Sequence, residues 1–112
     1  MPVFDDLLAS ASDLCKSRIN KITKYIENNY PSAIRCIYFC TPGFRCNGYF
    51  IGFKCIHDEL SIYVTNIKAV KAVTHLYPKV RTTKNAIRFY DSERFNSSAV
   101  KTAIDICFLI NK

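Results

Sequence analysis

Glycine is scarce in this chain, with three in 112 residues, at positions 43, 48 and 52. That excludes a glycine-rich loop built to cradle phosphates. Histidine is scarcer still. His57 and His75 are the only two, expected at the surface near a hairpin end and a helix end, and no Ser-His-Asp or Cys-His pattern is legible around them. Acids number nine against sixteen Lys and Arg, a formal charge of +7. A carboxylate cage for a hard metal ion is therefore poorly supplied. Asp5, Asp6 and Asp13 form the one N-terminal cluster, and negative charge near helix starts is favourable for structural reasons alone. No apolar run approaches the ~20 residues a membrane-spanning helix needs. The opening Met1-Pro2-Val3-Phe4-Asp5-Asp6 lacks a basic segment followed by an apolar one, so no signal peptide is expected and the chain is assigned to the cytoplasm. There is no linker, repeat or low-complexity tract.

Six cysteines are present, with no Cys-x-x-Cys pair among them. Cys36, Cys40, Cys46 and Cys55 with His57 fit no common zinc spacing. Cytoplasmic cysteines are expected as reduced thiols, and Cys15 and Cys107 fall on apolar helix faces where free cysteine packs as a small hydrophobe. No cofactor is expected.

About half the residues are apolar or aromatic, 49%, so residues 1–112 are expected to fold as one domain around a modest core. The basic excess favours an anionic small molecule, an acidic protein or, less strongly, nucleic acid. Scattered Lys and Arg also fit a merely solubilising surface.

Phe4, Leu7 and Leu8 suggest a short leading helical turn, and Ser10-Ala11-Ser12-Asp13 has the form of a capping box. Cys15, Ile19, Ile22 and Ile26 follow at spacings of four, three and four, one stripe of a helix that Tyr30-Pro31 stops. Ala33 to Phe39 is a first strand, Thr41-Pro42-Gly43 a turn, and Phe44 to Cys46 a short second strand. Asn47-Gly48 is a strong two-residue hairpin signal. Tyr49 to His57 is a third strand, Asp58-Glu59 a second tight turn, and Leu60 to Val64 a fourth strand. Asn66 caps a helix from Ile67 to about Leu76, ended by Pro78. Asn85 to Tyr90 is a fifth strand, and Asn96 or Ser97 caps a last helix with Val100, Ala103, Ile104 and Cys107 on one face. The fold class is α+β: a mainly antiparallel sheet of about five strands with the N- and C-terminal helices packed on one face.

The turns set the faces. With Asn47-Gly48 as loop, Cys46 opposes Tyr49, Arg45 opposes Phe50 and Phe44 opposes Ile51. With Asp58-Glu59 as loop, Cys55 opposes Ile62 and Lys54 opposes Tyr63. Phe44, Cys46, Ile51, Phe53, Cys55, Leu60, Ile62 and Val64 then share an apolar face. Arg45, Phe50, Gly52, Lys54, Ile56, Ser61 and Tyr63, joined by Arg88, share a basic and aromatic one, with the middle helix over part of it. A one-residue slip would bury Arg45 and Lys54.

Tyr38, Pro42, Phe44, Arg45, Asn47, Gly48, Phe53 and Lys54, and later Lys84, Ile87, Arg88 and Phe89, resemble the motif of the YdhG-like family of small bacterial domains of unknown function. Phe39 stands where that family usually has glycine, Gly43 where it has alanine, and Tyr90 where it has proline. The MmcQ/YjbR-like family shares the strand-rich plan. The resemblance implies an α+β domain with a central antiparallel sheet, and some relatives are described as frataxin-like iron chaperones, a role that needs clustered carboxylates.

The lead expectation is a non-enzymatic binding module. Arg45, Lys54, Lys84 and Arg88 supply positive charge, and Tyr38, Phe50 and Tyr63 shape the site. Iron delivery and nucleic-acid binding by stacking and phosphate contact are the alternatives. Oligomeric state is left open.

Overall fold

The computed structural model describes residue 9 and residues 11–108. The elements, in chain order, are α1 (Asp13–Asn29), β1 (Ile34–Tyr38), β2 (Thr41–Cys46), β3 (Tyr49–Ile56), β4 (Glu59–Val64), α2 (Ile67–Leu76), β5 (Arg81–Thr82), β6 (Ala86–Tyr90) and α3 (Ser97–Phe108). The six strands form one antiparallel sheet in the order β1-β2-β3-β4-β6-β5. The expected α+β architecture is present. The sheet has one strand more than expected, the two-residue β5, which is too short to carry an alternating pattern.

Helix boundaries follow local chemistry. The cap of α1 is Ser12, whose hydroxyl accepts from the Cys15 amide, and not Ser10, which lies outside the described residues with Phe4, Leu7 and Leu8. Asn66 caps α2 by accepting from the Lys68 amide, and Asn96 accepts from the Ala99 amide at the start of α3. Each removes an orphan N–H that a helix start would otherwise leave bare.

The Asn47-Gly48 hairpin has the expected register, with Arg45 opposite Phe50 and Phe44 opposite Ile51. Two turns differ from expectation. The β1–β2 loop is Phe39-Cys40, at φ 50° and 59°, and Thr41, Pro42 and Gly43 lie in β2. Proline is tolerated there because pairing with β3 begins only at Gly43, so Pro42 has a strand on one side alone. Phe39, at the position where the YdhG-like pattern has glycine, takes the left-handed backbone that glycine would take freely. The β3–β4 loop is His57-Asp58, at φ 52° and 59°. A loop of Asp58-Glu59 would have put glutamate in the left-handed region, which histidine and aspartate enter more readily. Lys54 therefore opposes Ser61, and Cys55 opposes Leu60. The slip is two residues, so every side chain keeps its expected face.

All three described helices bury apolar residues on the same side. Ile19, Ile22 and Ile26 of α1, Ala69, Val70 and Val73 of α2, and Val100, Ala103 and Ile104 of α3 join Phe44, Ile51, Phe53, Leu60, Ile62 and Ile87 in one core. The middle helix does not lie over the basic face as expected. It packs beside α3 because its apolar stripe needs that core. Ile34, Arg45, Lys54 and Ile56 stay exposed on the opposite face.

Two polar devices tie the helices down. Arg18, buried, donates to the carbonyls of Tyr90 and Glu93 at 3.0 and 2.7 Å. Tyr25 and Tyr30 both donate to the Asp105 carboxylate, joining α1 and the residue after it to α3. The expectation of reduced thiols fails at one pair: Cys15 of α1 and Cys55 of β3 form a disulfide, their Cα atoms 6.8 Å apart. Forty residues separate them in sequence, so nothing local announces the pairing. Cys36, Cys40, Cys46 and Cys107 are free.

Candidate functional site

Residues directly opposite in a ladder share a face. Lys54, Ser61, Arg88 and Arg81 therefore form one row across β3, β4, β6 and β5 of the uncovered face. The next row holds Cys36, Gly43, Gly52, Tyr63 and Ala86 across β1, β2, β3, β4 and β6. Its two adjacent glycines leave a trough in the sheet. Phe50 fills it: its ring would lie 2.8 Å from a Cβ at Gly43 and 2.5 Å from one at Gly52. Tyr38 packs on Phe50 with ring centroids 5.2 Å apart, and Phe39 stands edge-on to Tyr38 at 4.5 Å.

A groove of about 340 Å³ results, lined by Tyr38, Phe39, Thr41, Phe50, Lys54, Tyr63, Val64, Thr65 and Asn85. Tyr38 comes from β1, Phe50 from β3 with its ring over the glycines, and Tyr63 from β4. Lys54 is exposed, and among the described residues no acid pairs with it. Thr65 is already engaged, its hydroxyl accepting from the Phe50 amide at 2.8 Å.

Four of the seven expected site residues, Tyr38, Phe50, Lys54 and Tyr63, thus meet in one groove. Phe50 serves it as a buried floor and wall, because its ring is spent covering the glycines. Arg45, Lys84 and Arg88 do not line it. Arg45 is exposed on the same face, level with Ile34 and Phe50, and its charge opposes part of the upward push that burial gives the Cys36 thiol. Lys84 is exposed in the bend between β5 and β6. Arg88 faces Glu59 at 3.8 Å. Next to it, Arg81 pairs with Glu59 at 2.8 Å and Glu93 at 2.6 Å and lies over the Tyr90 ring. The Arg81 hydrogen bond holds the Glu93 carboxyl below its ordinary range.

Phe39, Thr41, Thr65 and Asn85 were not foreseen as site residues. They sit at strand ends and turns, and only the position of the β1–β2 loop could have pointed to Phe39. A larger cavity of about 530 Å³ lies at the β5 edge, among Lys79, Arg81, Glu93, Arg94 and the start of α3. None of the expected site residues lines it, and its guanidinium at Arg81 is neutralised within the fold. Among the described residues no three His, Cys, Asp or Glu side chains gather into a group that could hold a metal ion, and Asp5 and Asp6 lie outside those residues. Among the same residues no helix is long and apolar enough to cross a membrane.

Fold and groove together define an α+β protein with three helices on one face of an open antiparallel sheet and an aromatic groove on the other. A crystal structure of YdhG from Bacillus subtilis, a DUF1801-family protein, has this fold: TM-score 0.80, 23% sequence identity, covering 99% of this chain and 92% of that one. The chain therefore has the fold of a YdhG-like protein, the family its hairpin residues resemble. No family model and no curated protein matches the sequence.

Proposed function

We propose that this chain is a non-enzymatic binding module that takes an anionic small molecule on the uncovered face of its sheet. The observation that carries the reading is Lys54: an ammonium with no acidic partner among the described residues, on a concave, largely aromatic surface. Binding sites are commonly such apolar clefts with a few placed polar groups. The +7 charge favours approach of anions over cations. A charge-assisted contact is worth about 1.5–3 kcal/mol, so Lys54→Ala should weaken an anion by about tenfold or more. Thermal-shift titration against a panel of carboxylates and phosphate esters measures this. If every affinity survives Lys54→Ala combined with Arg45→Ala, the site is wrongly placed.

A protein partner is a second reading, supported by apolar side chains left bare on the same face, Ile34 at 68% and Ile56 at 51% exposed. An acidic partner would show cross-saturation at Ile34 and Ile56 as well as in the groove. We also carry forward the cytoplasmic location as part of this reading.

A further inference from the structure

The groove that we read as an anion site has features that narrow its ligand further. Its volume, about 340 Å³, is at the small end of the roughly 300–1,000 Å³ range for ligand pockets. It has aromatic rings from two sides: Tyr38 from β1, packed on Phe50 of β3, and Tyr63 from β4. Its one lining cation, Lys54, pairs with no acid among the described residues, whereas Arg88 and Arg81 in the same row face Glu59 and Glu93. The fourth feature is Phe39. It lies in the two-residue β1–β2 turn at φ 50° and is 82% exposed beside the groove. A ring held in water at a groove gains most by closing on another flat apolar surface.

We propose that the ligand is a small aromatic anion: one or two flat rings carrying a single carboxylate or phosphate. The ring lies between Tyr63 and the Tyr38–Phe50 pair, with Phe39 against its outer edge, and the anion meets Lys54. A lysine ammonium is a point charge, so it accepts either anion without the bidentate match an arginine would impose. The side-chain amide of Asn85 can hydrogen-bond a polar substituent on the ring. The inference rests on the anion-site reading and adds the aromatic requirement to it.

The test is a set of amide-shift titrations on the whole chain, with benzoate and phenyl phosphate as aromatic anions. Cyclohexanecarboxylate supplies charge without a flat ring, benzyl alcohol a ring without charge, and a ten-residue oligothymidylate both on a polymer. Benzoate and phenyl phosphate should move the amides of Gly52, Lys54 and Tyr63 and bind about fivefold or more tighter than cyclohexanecarboxylate, the scale of an aromatic contact. Lys54→Met should weaken both by about tenfold and leave benzyl alcohol unchanged. Phe39→Ala, at an exposed turn, should weaken them severalfold with the spectrum otherwise intact. If cyclohexanecarboxylate binds as well as benzoate, the aromatic requirement is wrong and the anion site stands. If no anion moves those amides, both fall. If oligothymidylate binds far tighter than phenyl phosphate, with a steep loss in salt, the proposal is overturned in favour of single-stranded nucleic acid.

Discussion

Tyr25 shows how a single side chain can carry a measurable pH dependence. Burial, with Asp105 accepting its hydrogen bond at 2.8 Å and adding its negative charge, pushes the phenol up to about 12. The folded value is raised above that of the unfolded chain, about 10. The stability it contributes is therefore complete below pH ~10 and is lost as pH rises towards 12, because the unfolded chain releases the proton first. Tyr25→Phe should flatten the alkaline limb of a stability–pH profile between those values, and a limb unchanged in the variant would refute the assignment. Cys40 gives a residue-scale prediction of the opposite sign. It is exposed at φ 59°, where a Cβ costs about 1–2 kcal/mol. Part of that gain is returned as extra freedom in the unfolded chain, so Cys40→Gly should raise stability by about 1 kcal/mol in urea unfolding.

At the scale of elements, the glycine trough is the part of the sheet least open to change. A Cβ on Gly43 would stand 2.0 Å from the Ile51 carbonyl oxygen and 2.6 Å from the Gly52 Cα. Both are backbone atoms of the paired strand and cannot swing aside. Gly43→Ala should cost about 3 kcal/mol or more. Gly48 is the control: its φ is 83° but nothing lies within 4 Å of its Cβ position, so Gly48→Ala should cost only about 1–2 kcal/mol. Equal losses for the two in denaturant titrations would mean that β2 and β3 are not packed as closely as described. The same trough explains why Phe50, on the solvent face, is buried. Gly43 is spent on close strand approach, Gly52 on room for the Phe50 ring and the Thr41 methyl, and only Gly48 makes a turn.

For the whole molecule, the Cys15–Cys55 disulfide clamps the first helix to the sheet. By the chain-entropy model a loop of this length restricts the unfolded chain by about 4 kcal/mol. Urea unfolding with a phosphine reductant should show about that loss. A midpoint unchanged on reduction would refute this account of the disulfide as a restraint on the unfolded chain.

Periodicity and turn chemistry made much of this legible before any coordinates. The α1 stripe, the Asn66 cap, the span of α2, the Asn47-Gly48 register and the division of the sheet into two faces all rest on contacts between near neighbours in sequence. Even a turn expected at Asp58-Glu59 and found at His57-Asp58 left the faces intact, since alternation has period two and the register slip was two. Phe50, Lys54 and Tyr63 were legible as neighbours on one face because that follows from register alone, whereas the place of Tyr38 depended on the Phe39-Cys40 turn.

What the tertiary structure alone decided depends on distance in the chain. The pairing of Cys15 with Cys55, the satisfaction of buried Arg18 by carbonyls more than seventy residues away, and the docking of α2 beside α3 each need partners that local pattern cannot supply. So does the difference between a charge that is available and one that is not. Lys54 and Arg88 stand in the same row and look alike in the sequence. Only the packed molecule shows that Arg88 faces Glu59 while Lys54, beside the aromatic groove, meets no acid among the described residues.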